Sequence, residues 1–262
     1  MFNDRARSDA PTERSKTALF AADSVIWRVH GDVTTMMVGG VASLLLQMLH
    51  PRVLAGVWDH SNFRSDMVGR LRRTAQFIAI TTYGDAAAAE AIVARIRRIH
   101  DHVHGTLPDG TPYDANEPEL LAWVHVTEAT SFLDAWIRYG EPGMSIRDQD
   151  RYFAEMAEIG ALMGADPLPR TRAEARRLIE AMRPQLLVDA RTREITRILL
   201  DAPPPTPALA AEPLQKLTFQ AAVDLLPTWA RAMHGLPNPV IGRPLVRTGI
   251  MGVAQTLRWA FT

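Results

Sequence analysis

Apolar residues recur along this chain with a period of about 3.6 residues, the repeat that buries one face of an α-helix. Alternating apolar and polar runs bounded by turn residues, the mark of half-buried strands, are nearly absent. The pattern predicts a string of helices. A first spans about Ser24 to His30, and a second about Thr34 to Leu49, stopped by Pro51. A third runs from about Asp66 to Tyr83 and ends at Gly84; Asp85 then caps a fourth, Ala86 to about His104, closed by Gly105. Turn residues crowd Thr106 to Pro118, which reads as a loop. Further helices follow at about Glu119 to Tyr139 and Ser145 to Met163. The capping box Thr171-x-x-Glu174 opens another, which ends before Pro184, and the next covers about Val188 to Leu200. Five prolines between Ala202 and Pro213 make a stiff connector, and helical patterns resume near Leu214–His234 and Pro239–Trp259. The expectation is an all-α fold: a single compact multi-helix domain over residues 21–262, behind a flexible N-terminal arm at 1–20.

Composition narrows the function classes. The formal net charge is zero, so no whole-molecule field draws the chain to nucleic acid or an anionic membrane. There is no cysteine, which removes disulfides, thiolate metal sites and thiolate haem ligation, leaving His, Tyr or Met as haem ligands. The first 16 residues lack an apolar core and do not read as a secretory signal, so the chain is expected in the cytoplasm. The longest mainly apolar run, Met36 to Leu49, is short for a bilayer and reads as a core helix, so no transmembrane segment is expected. No glycine-rich phosphate loop follows a strand, and no G-x-S-x-G elbow is present.

The chemistry concentrates between Leu49 and Gly105, which holds five histidines and a run of arginines among apolar residues. Arg70 and Thr74 lie one helical turn apart, next to Leu71, Phe77 and Ile78, while Arg72 and Arg73 suit a solvated face. An inward Arg pairs with a carboxylate, a propionate or bound oxygen. His100 sits beside the apolar side marked by Val93, Ile96, Ile99 and Val103; His104 shares its face and His102 does not. A zinc site at His100 and His104 would need a distant third ligand such as His60, His125 or Glu128, and the Glu of H-E-x-x-H is missing. His125 and Glu128, one turn apart between Trp123 and Trp136, read as a polar pair satisfied inside a helical core; carboxylate-bridged iron sites need paired Glu-x-x-His motifs. Asp59 to Phe63 lies between helices, where functional residues collect.

Several motifs in order resemble the oxygenase family of latex-clearing protein (a rubber oxygenase) and the MpaB-type oxygenases. They are LLLQMLHPRVLAGVWDHSNF from Leu44, GRLRRTAQF, the Tyr83-Gly84 pair, RIHDHVHGTLPDGTPYDANEPELLAWVHVTEATSF, and Leu-Pro-x-Trp at Leu226. The resemblance runs from near Trp27 to about Trp229. It implies an all-helical fold that encloses haem b, with a His as iron ligand and an Arg-x3-Thr pair near the haem. Motif to motif, Arg70 and Thr74 match that pair, as catalytic and cofactor-binding residues, and His100 matches the metal ligand. His60 joins them as a cofactor-binding candidate, and His104 and His125 are the alternative ligands. The rubber oxygenases carry a Lys just before the Thr that can close the distal side; Arg73 stands here. The implied activity is O2 activation, followed by oxygen insertion into, or cleavage of, a C=C bond of an apolar, isoprenoid- or lipid-like molecule. Rubber itself is not expected, because no signal peptide is read. The competing readings are a non-catalytic helical haem or lipid binder and a non-haem metal enzyme.

Overall fold

The computed structural model describes residues 14–202 and 211–236. In chain order the helices are α1 (Val25–His30), α2 (Val33–Gln47), α3 (Pro51–His60), α4 (Met67–Tyr83), α5 (Ala86–His100), α6 (Pro118–Tyr139) and α7 (Ile146–Met163). They continue with α8 (Arg172–Met182), α9 (Ala190–Leu200), α10 (Ala211–Leu225) and α11 (Thr228–His234). One antiparallel hairpin, β1 (His104–Thr106) with β2 (Pro112–Asp114), interrupts them. The fold is all-α.

Local chemistry sets the helix ends. The side chains of Asp32, Asp66, Asp85, Ser145, Thr171 and Asp189 each accept a hydrogen bond from the backbone N–H three residues on. Each satisfies a donor that the first turn would otherwise leave unpaired. Gly164 closes α7 with φ +86°, a left-handed backbone that favours glycine.

Helix α6 is the axis of the molecule. It packs on α2 along one side and on α7 and α8 along the other. The α2–α6 crossing is close because position 39 is glycine: a Cβ there would lie 2.8 Å from Phe132 Cδ1 and 2.9 Å from its Cα. Helix α10 covers the other side of α2, which explains why α2 is apolar nearly all round. One apolar cluster joins Leu45, Leu49, Phe63, Leu199 and Leu225; a second joins Ile26, Trp123, Phe132, Tyr152 and Phe153. Half-buried Phe77 and Ile78 of α4 pack against the second.

Helices α4 and α5 form an antiparallel hairpin across the two-residue turn Gly84–Asp85. Residues Ser15 to Ala18 run along this turn. Ser15 N–H donates to the Tyr83 carbonyl, and Ala86 N–H donates to the Thr17 carbonyl. Residues 1–13, the connector at 203–210 and the stretch from 237 on, which includes the helix expected near Pro239–Trp259, lie outside the described residues.

Three expectations are corrected. Pro51 ends α2 and also opens α3, at the first helical position where its missing N–H costs nothing; the chain turns by 104° between the two. Helix α5 stops at His100, so His104 belongs to β1, opposite Asp114, and shares no helical face with His100. The stretch expected to be loop is a hairpin whose tip is fixed by Gly110 at φ +89° and by Asp109 accepting from Thr111 N–H. Among the described residues no single helix is long and apolar enough to cross a membrane.

Candidate functional site

Arg70 lies in the second turn of α4, facing the end of α3. Its Nη1 donates to Ser61 Oγ at 3.0 Å. Among the described residues no carboxylate pairs with it. Burial, and then Arg73, lower its pKa from the usual arginine range. Arg70 is half-buried, and a guanidinium partly withdrawn from water and held by a neutral hydroxyl is stabilised when an anion completes its surroundings. Thr74 is exposed, and its hydroxyl donates back to the Arg70 carbonyl at 3.2 Å. Arg73 points outward and pairs with the α4 cap Asp66 at 3.2 Å.

His60, the last residue of α3, is exposed and meets Tyr113 Oη through Nε2 at 3.3 Å. Tyr113 is buried and donates its proton to Asp59 Oδ2 at 2.8 Å, so Nε2 of His60 is the donor in the other bond. Burial and Asp59 push the Tyr113 phenol up to about 12.

His100 closes α5, half-buried. Its Nδ1 is sealed from solvent and makes no hydrogen bond. Asn116 lies beside it, its amide engaged by the Arg97 carbonyl and Asp101 Oδ1 at 3.2 and 2.7 Å. Burial lowers the His100 pKa, and Asn116, Asp114 and Asp101 offset part of that. Burial favours the neutral ring, and a neutral imidazole is the form that binds a metal. His102 and His104 are exposed. In the α4–α5 hairpin, Arg70 and His100 both sit at the end away from the turn. No hydrogen bond joins Arg70, Thr74 or His60 to His100.

The other polar cluster was only half visible beforehand. His125 and Glu128 face the interior from α6, but they are not the satisfied pair expected. Neither makes a hydrogen bond or ion pair among the described residues. Burial alone drives His125 down to about 4 and Glu128 up to about 7. Glu128 is half-buried and keeps some accessible surface. Beside Glu128 lies a hydrogen-bonded string: Tyr152 Oη to His30 Nε2 at 3.0 Å, then His30 Nδ1 to Thr82 Oγ1 at 2.8 Å. Burial lowers His30 to about 3, so its ring is neutral. Burial first, then Glu128 and Glu155, push Tyr152 well above its usual range. No local motif announced His30 or Tyr152.

Two open surface depressions lie away from these groups. One is lined by Arg14, Trp27, Arg28 and Asp148, the other by Arg52, His104, Tyr113 and Glu117. Arg28 is paired with Asp148 and Arg52 with Glu117, while Arg14 stacks over Trp27 and Tyr83. Among the described residues no group of three or more His, Asp or Glu side chains is gathered to hold a metal ion. His60, His125 and Glu128 therefore do not assemble around His100.

No curated protein and no solved structure matches the chain. A family profile does: that of the ER-bound oxygenase mpaB/B'/rubber oxygenase catalytic domain matches residues 27–259. The match begins at Trp27 in α1, extends past α11, and takes in Arg70, Thr74, His100 and His125; the chain belongs to the mpaB/rubber oxygenase catalytic-domain family.

Proposed function

We propose that this protein is a haem b-dependent oxygenase acting on an apolar, isoprenoid- or lipid-like substrate. The observation that carries the reading is the pair of unmet demands at one end of the α4–α5 hairpin. His100 offers a nitrogen sealed from solvent with no hydrogen bond, and Arg70 offers a half-buried cation with no carboxylate partner among the described residues. A porphyrin meets both, since it needs one imidazole ligand from the protein and brings carboxylates of its own. A metal held by protein side chains alone would need a ligand cluster that the described residues lack.

His100 would hold the iron and Arg70 a propionate, with Thr74 and His60 beside them. Bound there, haem supplies the redox chemistry that lets O2 react with a C=C bond. The chain's own part is to keep the ligand ring neutral, to fix the cofactor by charge, and to keep water out with Phe77, Ile78 and the cluster behind them. Purified protein should carry a Soret band, with haem and iron in equal amounts and near one per chain. Protein that stays colourless after reconstitution with haemin sinks the proposal. Oxygen uptake with polyprenyl substrates separates an oxygenase from a haem or lipid carrier.

A further inference from the structure

Arg70 and His100 sit on different helices and are steadied by different neighbours. Arg70 of α4 is held by Ser61 Oγ, just past the end of α3, and His100 closes α5. The segment that grips both neighbourhoods is residues 113–116, the second half of β2 and the turn after it. Asn116 holds the end of α5. Its amide donates to the Arg97 carbonyl at 3.2 Å and to Asp101 Oδ1 at 2.7 Å, and Ala115 N–H donates to the Val103 carbonyl at 2.9 Å. Tyr113 holds the end of α3. Its hydroxyl donates to Asp59 Oδ2 at 2.8 Å and accepts from His60 Nε2 at 3.3 Å, and Ser61 follows directly. The turn between the two grips is tied to itself: Asn116 N–H donates to Asp114 Oδ1 at 2.7 Å, and Glu117 N–H to the Asp114 carbonyl at 3.1 Å.

The hydroxyl of Tyr113, not only its ring, is built into this arrangement. Asp59 stands in the last turn of α3, where the helix dipole disfavours a carboxylate, so the Tyr113 donor offsets an unfavourable placement. The residue opposite Tyr113 in the hairpin is Gly105, and a Cβ there would lie 2.6 Å from Tyr113 Oη. Any side chain at 105 would push the hydroxyl off its partners. At the other end of α3, Arg52 donates to the Pro112 carbonyl at 2.9 Å and pairs with Glu117, so the hairpin is fastened to α3 at both ends.

We propose that Tyr113 is a positioning residue for the oxygenase site. Its hydroxyl fixes the Asp59–Ser61 segment, and Ser61 in turn aims the Arg70 guanidinium at an anionic group of the cofactor, in register with His100 on the far side of the same turn. The inference rests on the haem reading and adds the support beneath Arg70. Groups that grip a cofactor work only as well as their own supports hold them.

The test is titration of haemin into the parent and into Tyr113→Phe, which deletes the hydroxyl and keeps the buried ring. Affinity should fall about fivefold, the worth of one hydrogen bond. Asp59→Ala, at an exposed residue, should repeat the loss, and it decides the matter if Tyr113→Phe does not keep its helices by circular dichroism. Asp59→Asn, which retains an acceptor oxygen, should keep most of the affinity. In a Ser61→Ala background Tyr113→Phe should cost nothing further, because the link to Arg70 is already cut. In the cofactor-free protein the NMR signals of the Arg70 guanidinium, identified by their absence in Arg70→Met, should move in Tyr113→Phe as they do in Ser61→Ala. Unmoved Arg70 signals, an unchanged haemin affinity, or an equal loss in the Ser61→Ala background overturns the proposal. Wild-type protein that takes up no haemin, while its Arg70 signals follow Tyr113, would sink the haem assignment and leave the positioning role standing.

Discussion

Gly160 of α7 leaves room for the imidazole of His125 on α6: a Cβ at position 160 would lie 3.1 Å from both Cε1 and Nε2 of that ring. The small residue sets how close the two helices come at the level of His125. Gly160→Ala would press the new methyl group on His125 and on Leu168 together. Overpacking of this kind costs about 1–3 kcal/mol, partly returned by the better helix propensity of alanine. Chemical denaturation should show a net loss of stability. A variant as stable as the parent would mean that His125 has freedom to move.

Arg70 is a cation whose surroundings are incomplete without an anion. Replacing it by methionine removes the desolvation cost and keeps the volume of the stem. The cofactor-free protein should be as stable as the parent or more so, by up to about 1–2 kcal/mol. Haem affinity should fall at least about tenfold, the worth of one charge-assisted hydrogen bond. Titration of haemin into the two apoproteins checks both parts. An unchanged haem affinity would detach Arg70 from the cofactor.

His100→Ala should abolish most haem binding while the protein stays helical, at a stability cost of about 1–3 kcal/mol. His102→Ala should leave the spectrum as it was, because His102 is exposed past the end of α5. A native Soret band in His100→Ala, together with its loss in His125→Ala, would move the ligand to α6.

Much of this architecture was legible because its causes are local. Asp85 and Ser145 cap α5 and α7 with their own side chains, and Gly84 and Gly164 end α4 and α7. Helix α3 was missed because Pro51 stops one helix and starts the next, and a pattern of periods records only the stop. The hairpin was missed because three residues are too few to show alternation. At the site, Arg70, His100 and the His125–Glu128 spacing stood out as residue types in helical register. What could not be read was who partners whom. The Thr82–His30–Tyr152 string joins residues 52 and 122 positions apart. That Glu128 makes no hydrogen bond or ion pair among the described residues depends on the packing of several helices, which no short segment encodes.

The buried titratable groups also fix how stability responds to acid. His30 and His125 are held at about 3 and about 4 in the fold, against 6.5 unfolded. Between those values the unfolded chain binds more protons, so their contribution is present above about 6.5 and lost as the pH falls. Glu128 acts in the opposite sense. It is held at about 7 against 4.5 unfolded, so the fold binds the extra proton between those values and stability falls as the pH rises through them. From pH 6.5 down to 4.5, unfolding takes up two protons at the histidines and releases one at Glu128. The net of one proton lowers stability by about 1.4 kcal/mol per pH unit, before the smaller same-signed contributions of His50, His100 and His234 and the opposing one of Asp134. Glu128→Leu removes the opposing proton and should steepen the slope by about another 1.4 kcal/mol per unit, while raising stability at neutral pH. Urea unfolding at several pH values between 4.8 and 6.3 measures both slopes. Parallel slopes for parent and variant would show that Glu128 titrates in the fold as it does in water, and that its carboxyl is not sealed in the interior.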